Sequence, residues 1–340
     1  MRLLPLPTLA ALALLILAVT AVGLVGGPVL ERVAIDTLIK VVVVLGLSVF
    51  IGNSGVLSFG HASFGAIGAY SAAWFTLPLA AKKLFLPKLP AFVLATHLGL
   101  APAAAIGMAA AAVFALVIGI VIVRLSGIAA SIATLAWLAI VNTVLANADS
   151  LTKGTSSLVG LPLAVGWLTA TLCALGALVV ALVFKSSRLG LMLQASREDE
   201  AAALASGIPV RRMRLIAFVL SAALVALGGV LQGHFLGVLT VGAFYFEFTF
   251  LTLAMLVMGG MRSVSGAVIG TIVVAVVSEV LRVAAAGFTL GGMVVPAAPG
   301  VREIGLAIIM LAVLMLRPRG IMGGRELRLW RAGRREGETA

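Results

Sequence analysis

Apolar runs, each about 20 residues long, follow one another along almost the whole chain, and nothing else in the sequence restricts the fold as much. A helix of that length crosses the roughly 30 Å hydrocarbon layer of a bilayer, and inside lipid a helix satisfies its own backbone polar groups. A core helix of a water-soluble protein shows instead one apolar stripe and a polar back. The chain is 62% hydrophobic and 11% charged, well below the roughly 25% charged residues of soluble domains, so a soluble globular class is excluded. The expected fold is all-α, a polytopic membrane helix bundle of about ten transmembrane segments with broken helices.

The expected spans are 9–27, 33–51, 52–74, 99–123, 127–146, 163–184, 215–236, 244–261, 264–286 and 304–316. The first is read as a retained membrane helix rather than a cleaved signal, because further spans follow at once. Glycines and serines interrupt 52–74, which predicts a bent or discontinuous helix covered by other protein. Residues 77–98 hold Pro78, Pro87, Pro90, Lys82, Lys83 and Lys88 and read as an extramembrane connection. Residues 1–316 form one membrane domain, and 317–340 form a basic tail carrying Arg317, Arg319, Arg325, Arg328, Arg331, Arg334 and Arg335.

Between the spans ending at 184 and starting at 215 lies the longest polar segment, KSSRLGLMLQASREDEAAALASGIPVRRMR. It joins basic residues (Lys185, Arg188, Arg197, Arg211, Arg212, Arg214) to an acidic knot, Glu198, Asp199 and Glu200. The positive-inside rule places it in the cytoplasm, and with six crossings before it and four after it both termini fall there too. The three lysines of 77–98 oppose that count, which sends them to the far side. Within the segment, a helix is expected from Ser196, as cap, to Ser206, with acids at its positive end and alanines after them. Gly207 and Pro209 end it. A helix so short is marginal alone in water, so a partner is expected to receive it. The net charge of +12 sits in this segment and the tail, which fits membrane topology and no nucleic acid partner.

The run Glu200-Ala201-Ala202-Ala203-Leu204-Ala205-Ser206-Gly207-Ile208 resembles the cytoplasmic signature loop of ABC importer permeases. More narrowly it resembles the form found in branched-chain amino acid permeases, E-x-A-A-x-x-x-G-I. Leu57-Ser58-Phe59-Gly60-His61-Ala62 with Gly68-Ala69-Tyr70 is similar to that family's L-S-x-G-H-A and G-A-Y elements. Arg124-Leu125-Ser126-Gly127 with Ile132-Ala133-Thr134-Leu135-Ala136 is similar to its R-L-x-G and I-A-T-L-A run, and Ser150-Leu151-Thr152-Lys153-Gly154 to its S-L-T-x-G loop. Met258-Gly259-Gly260-Met261-Arg262-Ser263 is similar to its G-G-x-G-S segment, with Met261 where a glycine is usual. The matches keep their order over 40–285 and point to the M-type of the two permease subunits.

The resemblance implies a transmembrane subunit of an ATP-driven importer in the bacterial inner membrane, moving leucine, isoleucine and valine. Implied partners are a second related permease subunit, two cytoplasmic ATPase subunits, an extracytoplasmic solute-binding protein and membrane lipid. No G-x-x-x-x-G-K-[ST] loop is present, so this chain is read as a non-enzyme without cofactor, ATP and Mg belonging to the ATPase subunits. Its loop helix would couple to them through Glu198, Asp199, Glu200, Ala202, Ala203, Gly207, Arg211 and Arg212.

Asn53, Ser54, Ser58, His61 and Ser63 in the broken segment, with Thr134 and Asn142, are candidates to line the solute path; hydrogen bonding between helices is the competing reading. Glu279 and Arg282, like Asp36 and Lys40, are spaced to neutralise each other along a helix. Relatives of the family carry other amino acids, amides or urea, which stands as the alternative solute class. An ion-driven secondary transporter is a further alternative, and Glu247 and Glu279 are poorly placed as its ion sites. The single Cys173 permits no intrachain disulfide.

Overall fold

The computed structural model describes residues 6–285, 288–290, 293–295, 300–317 and 319–327. Its helices in chain order are α1 (Leu6–Val25), α2 (Gly27–Leu47), α3 (His61–Thr76), α4 (Leu79–Phe85), α5 (Ala91–Ala95), α6 (Leu100–Ile122), α7 (Gly127–Asn147), α8 (Asp149–Thr152), α9 (Trp167–Ser186), α10 (Arg188–Glu198), α11 (Glu200–Ala205), α12 (Val210–Leu236), α13 (Phe246–Gly259), α14 (Val264–Ala285) and α15 (Val301–Leu316). Two antiparallel ribbons that the all-helical expectation did not include pair β1 (Leu158–Val159) with β2 (Val238–Leu239) and β3 (Phe288–Leu290) with β4 (Met293–Val295).

Among the described residues eight helices are long and apolar enough to cross a membrane, which corrects the expected total of about ten. The two segments that fall short are α3 and α15, each 16 residues. That is about 24 Å of helix against a layer of roughly 30 Å. For α3 the cause lies just upstream, where a π-turn at Ser48–Gly52 closes α2, Gly55 turns the chain at φ +72° and helix resumes only at His61.

The centre of the bundle is α2, α3 and α12, with one face of α6 packed on α3 and α12. Of the apolar stretch of α2, 89% is buried, against 22% for α7, which therefore stands at the rim. Glycine sets how closely the central helices pack. A Cβ on Gly229 of α12 would lie 2.1 Å from the carbonyl oxygen of Gly65 in α3, and one on Gly107 of α6 would lie 2.6 Å from that of Gly68. Lipid gives helices no hydrophobic drive to associate, so close backbone packing of this kind supplies much of the attraction. Gly266 and Gly270 of α14 meet the backbone of Gly259 in the same way. Glu279 and Arg282 form the expected pair, at 2.6 Å, and Lys40 pairs with Asp36.

The chain reversals sort the connections into two ends. At the loop end lie 52–57, the C-terminus of α9, α10 and α11, the start of α12, the turn 260–263 and residues 319–327. At the far end lie α4, α5 and the β1–β2 ribbon, joined to the last turns of α3 and α12 through Leu98–Phe75 and Leu161–Gly237 backbone bonds. The helix α12 is 27 residues, about 40 Å, so its first turn clears the apolar layer. It starts at Val210 rather than at the expected 215, and Arg211 and Arg212 are exposed on that projecting turn.

The lysines that opposed the topology sit at the far end, and one of them has a structural reason to be there. Lys82 is completely buried, and its ammonium donates to the carbonyls of Val93 and Thr96, tying α4 to the end of α5. Burial pushes its pKa down. Replacing Lys82 by methionine is expected to unfasten the 77–98 connection, read as faster protease cleavage there with the rest of the bundle intact.

The described part of the basic tail lies back against the loop end. Ile321 and Met322 donate backbone N–H groups to Met258 and Gly259 at 2.8 and 3.0 Å. Beyond them, Glu326 accepts from the backbone N–H groups of Val264 and Ser265, both at 2.9 Å, and so caps the positive end of α14. Its other partner is Lys185, at 2.6 Å. Desolvation raises the pKa of Glu326, but Lys185 and the Ser265 hydrogen bonds outweigh it and hold the carboxyl below its ordinary value. A depressed carboxyl contributes stability above its unfolded pKa and loses it as pH falls through the folded one. Glu326→Gln is therefore expected to melt earlier than the parent at neutral pH, by about 1 kcal/mol of cap. The gap should close in acid, and a gap independent of pH would refute the assignment. Arg328, Arg331, Arg334 and Arg335 fall outside the described residues.

Candidate coupling surface and broken segment

The polar loop folds as two helices set at an elbow, not as one helix from Ser196 to Ser206. Ser187 caps α10, its hydroxyl accepting from the N–H of Gly190 at 3.1 Å. The expected cap, Ser196, lies inside α10, buried, and its hydroxyl donates to the carbonyl of Leu193. Asp199 caps α11 instead, accepting from the N–H of Ala202 at 2.9 Å. A carboxylate at this position does better than a hydroxyl, because it also faces the positive end of the helix. Gly207, at φ +78°, ends α11 as expected, and Pro209 starts α12.

Charged side chains hold this elbow against the bundle. Arg214 is 5% exposed and grips Glu200 with both terminal nitrogens, Nη1 to Oε1 at 3.0 Å and Nη2 to Oε2 at 2.8 Å. A two-pronged pair of this kind fixes direction as well as distance. Glu198 accepts from Arg197 at 2.8 Å and lies 3.6 Å from Arg262. The hydrogen bond and charge of Arg197, helped by Arg262, hold its carboxyl below the usual value. With the inner side fixed, Ala203 packs inward while Ala201, Ala202, Leu204 and Ala205 face out. Leu191 of α10 is 54% exposed and Leu204 is 56% exposed. Arg211 and Arg212 stand exposed beside it and Gly207 is open.

The broken segment lies immediately inside the elbow. Asn53 donates to the carbonyl of Val49 at 2.9 Å and Ser54 to that of Phe50 at 2.7 Å, so both side chains bond back onto the π-turn. Ser58 meets Nδ1 of His61 at 2.7 Å, and Ser63 donates to Gly60. Thr134 of α7 accepts from the N–H of Phe59 at 3.1 Å, and Ser131 donates to the carbonyl of Leu57 at 2.8 Å. These residues are together, and Asn53, Ser54, Ser58, His61, Ser63 and Thr134 are all buried. Asn142 is apart from them, two turns along α7, where it donates to Val241 at 3.4 Å.

His61 sits in a ring of aromatic side chains, with Phe218, Phe50 and Phe64 at centroid distances of 5.1, 5.5 and 5.9 Å. Its Nε2 has no hydrogen-bond partner among the described residues. Only Nδ1 of this interior histidine is satisfied.

Sequence reasoning left out Arg197, Arg214, Arg262 and Ser131, each of which joins the loop or the broken segment to the bundle. Arg197 and Arg214 were visible as loop charges. Their partners lie 145 and 14 residues away, and no local spacing reveals the first. Between loop and broken segment is a cleft of about 400 Å³ lined by Ser54, Gly55, Arg197, Glu200, Arg214 and Arg262.

A helical membrane bundle with a glycine-broken helix at its centre and a charged, outward-facing helical elbow at one end defines a multi-pass helical membrane protein. Residues 29–315 match the family described as "Branched-chain amino acid transport system / permease component", and the chain belongs to that family. It is 31% identical over 315 residues to the high-affinity branched-chain amino acid transport system permease protein LivM of Escherichia coli (strain K12), covering 79% of this chain and 67% of that protein. The protein of the same name from Salmonella typhimurium (strain LT2) is 28% identical over 376 residues, covering 97% and 78%. No solved structure matches.

Proposed function

We propose that this chain is the M-type transmembrane subunit of an ATP-driven importer of leucine, isoleucine and valine, and that α10, α11 and the start of α12 are its coupling surface. Two ATPase subunits, a second permease subunit and an extracytoplasmic binding protein complete the assembly. ATP and Mg belong to the ATPase subunits, and this chain's part is to receive their movement. The solute follows from the family and from the two relatives' names.

The observation that carries the reading is the posture of α11. Six residues of helix do not hold themselves in water, yet α11 is fastened from within by Arg214 and Asp199 and turns Leu204 outward. A six-residue helix tied down on its inner side, with Leu204 and three alanines left open on its outer side, fits a docking contact better than a freely solvated loop. The loop end is cytoplasmic in this reading. Arg188, Arg211, Arg212, Arg317, Arg319 and Arg325 gather there and outnumber the far-end lysines, of which Lys82 is buried and Lys83 and Lys88 are exposed.

Leu204→Asp puts an acid into that contact without touching the inner fastening. Its expected effect is a loss of about tenfold or more in affinity for the ATPase subunits, read by co-purification from detergent, with energised leucine uptake falling alongside. Full ATPase retention and uptake by the variant would remove α11 from the interface.

A further inference from the structure

Arg197 joins two parts of the chain at the loop end, the coupling elbow and the broken segment. It stands in the last turn of α10, with its side chain 15% exposed. Nη1 donates to the carbonyl oxygen of Gly52 at 2.5 Å, at the end of the π-turn. Nη2 donates to Glu198 at 2.8 Å, so one planar group holds both the elbow and the end of α2.

The segment is shaped around this side chain. A Cβ on Gly55 would lie 2.6 Å from Cγ and 3.1 Å from Cδ of Arg197, and Gly55 has φ +72°, where only glycine sits without strain. From there the chain runs to Leu57 and Phe59, which Ser131 and Thr134 of α7 hold from the opposite side. A push on the elbow therefore meets a continuous set of contacts, from Arg197 through 52–60 into α7, the least buried of the long helices.

We propose that Arg197 is the positioning residue through which the coupling elbow moves the broken segment 52–60, with Gly55 as the seat for its aliphatic stem. The inference rests on the coupling function proposed above and adds the residue that transmits it. Arg197 acts on backbone, not on solute. Its loss disconnects the two parts without removing either.

The test uses the full complex in proteoliposomes, with Cys173→Ala and Leu57→Cys installed so that a maleimide reports on the segment. Labelling is compared between the nucleotide-free complex and the complex trapped with ATP and vanadate. With Arg197 present the two labelling rates are expected to differ by about fivefold or more. In Arg197→Ala the ratio should collapse toward one while ATP is still hydrolysed, and Arg197→Lys, which still reaches Gly52, should restore part of it. Gly55→Ala should reproduce the collapse with Arg197 in place. An unchanged ratio in both Arg197→Ala and Gly55→Ala overturns the inference, as does a loss of hydrolysis, folding and labelling in equal proportion. A parent complex that hydrolyses ATP with no change at Leu57→Cys overturns the inference alone. A parent that binds no ATPase overturns the coupling function as well.

Discussion

Gly229→Leu is expected to leave almost no folded protein in the membrane. Even the first added carbon meets Gly65 at 2.1, 2.6 and 2.7 Å, from its oxygen, carbonyl carbon and Cα. Those are backbone atoms, so no rotamer change relieves the clash. Nor can α3 move away as a body. A Cβ on Gly68 already lies 2.6 Å from that of Ala226, and on its other side Gly68 is met by Gly107 of α6. Thr76 also ties the end of α3 to His234 at 2.8 Å. Overpacking a tight core costs about 1–3 kcal/mol when side chains can yield, and more when they cannot. Total stability is about 5–15 kcal/mol, so a clash of leucine with three backbone atoms of Gly65 consumes much of it. Gly229→Ala adds that same carbon without the rest of the side chain, so it should also lose folded protein, to a smaller extent. Monodisperse protein on detergent size-exclusion chromatography, in wild-type yield, from Gly229→Leu would show that α3 and α12 do not meet as described.

Glu200→Lys should have the second largest effect, and on function rather than folding. The substitution sets an ammonium where a carboxylate met both prongs of a guanidinium that is itself 5% exposed. Arg214 is anchored in α12 and cannot leave, so α11 swings off the bundle instead. Asp199 still caps α11 and Gly207 still ends it, so the helix survives while its direction is lost. The expected outcome is normal membrane insertion with leucine uptake reduced about tenfold or more and ATP hydrolysis no longer responding to loaded binding protein. Glu200→Gln keeps one hydrogen bond to Arg214 and should lie between the two. Uptake at the parent level in Glu200→Lys would mean that the orientation of α11 is irrelevant to transport.

The parts of the fold legible beforehand were those set by local chemistry. Apolar run length marked the long helices, glycine and serine density marked 52–74 as broken, and Gly207 with Pro209 marked the end of the loop helix. The errors share one cause. Ser196 and Asp199 are both good caps by type, and only the turn of the chain after Glu198 decides between them. The run 52–74 was long enough to cross, yet part of it is spent on non-helical backbone that Arg197, Ser131 and Thr134 hold from other helices. Lys82 read only as part of an extramembrane connection, while its carbonyl partners at the end of α5 make it an internal clamp.

The sequence by itself determined that the chain is built of membrane-length helices, which stretch forms its polar loop and which family it joins, because hydrophobic length, charge placement and short ordered motifs act locally and survive any change of packing. Tertiary structure alone decided that Arg197 reaches Gly52, that Glu326 reaches Lys185 across 141 residues, and that Leu204 faces outward. Such pairings depend on which helix ends meet at one face of the bundle, and that follows from glycine-to-backbone contacts between helices rather than from any spacing along the chain.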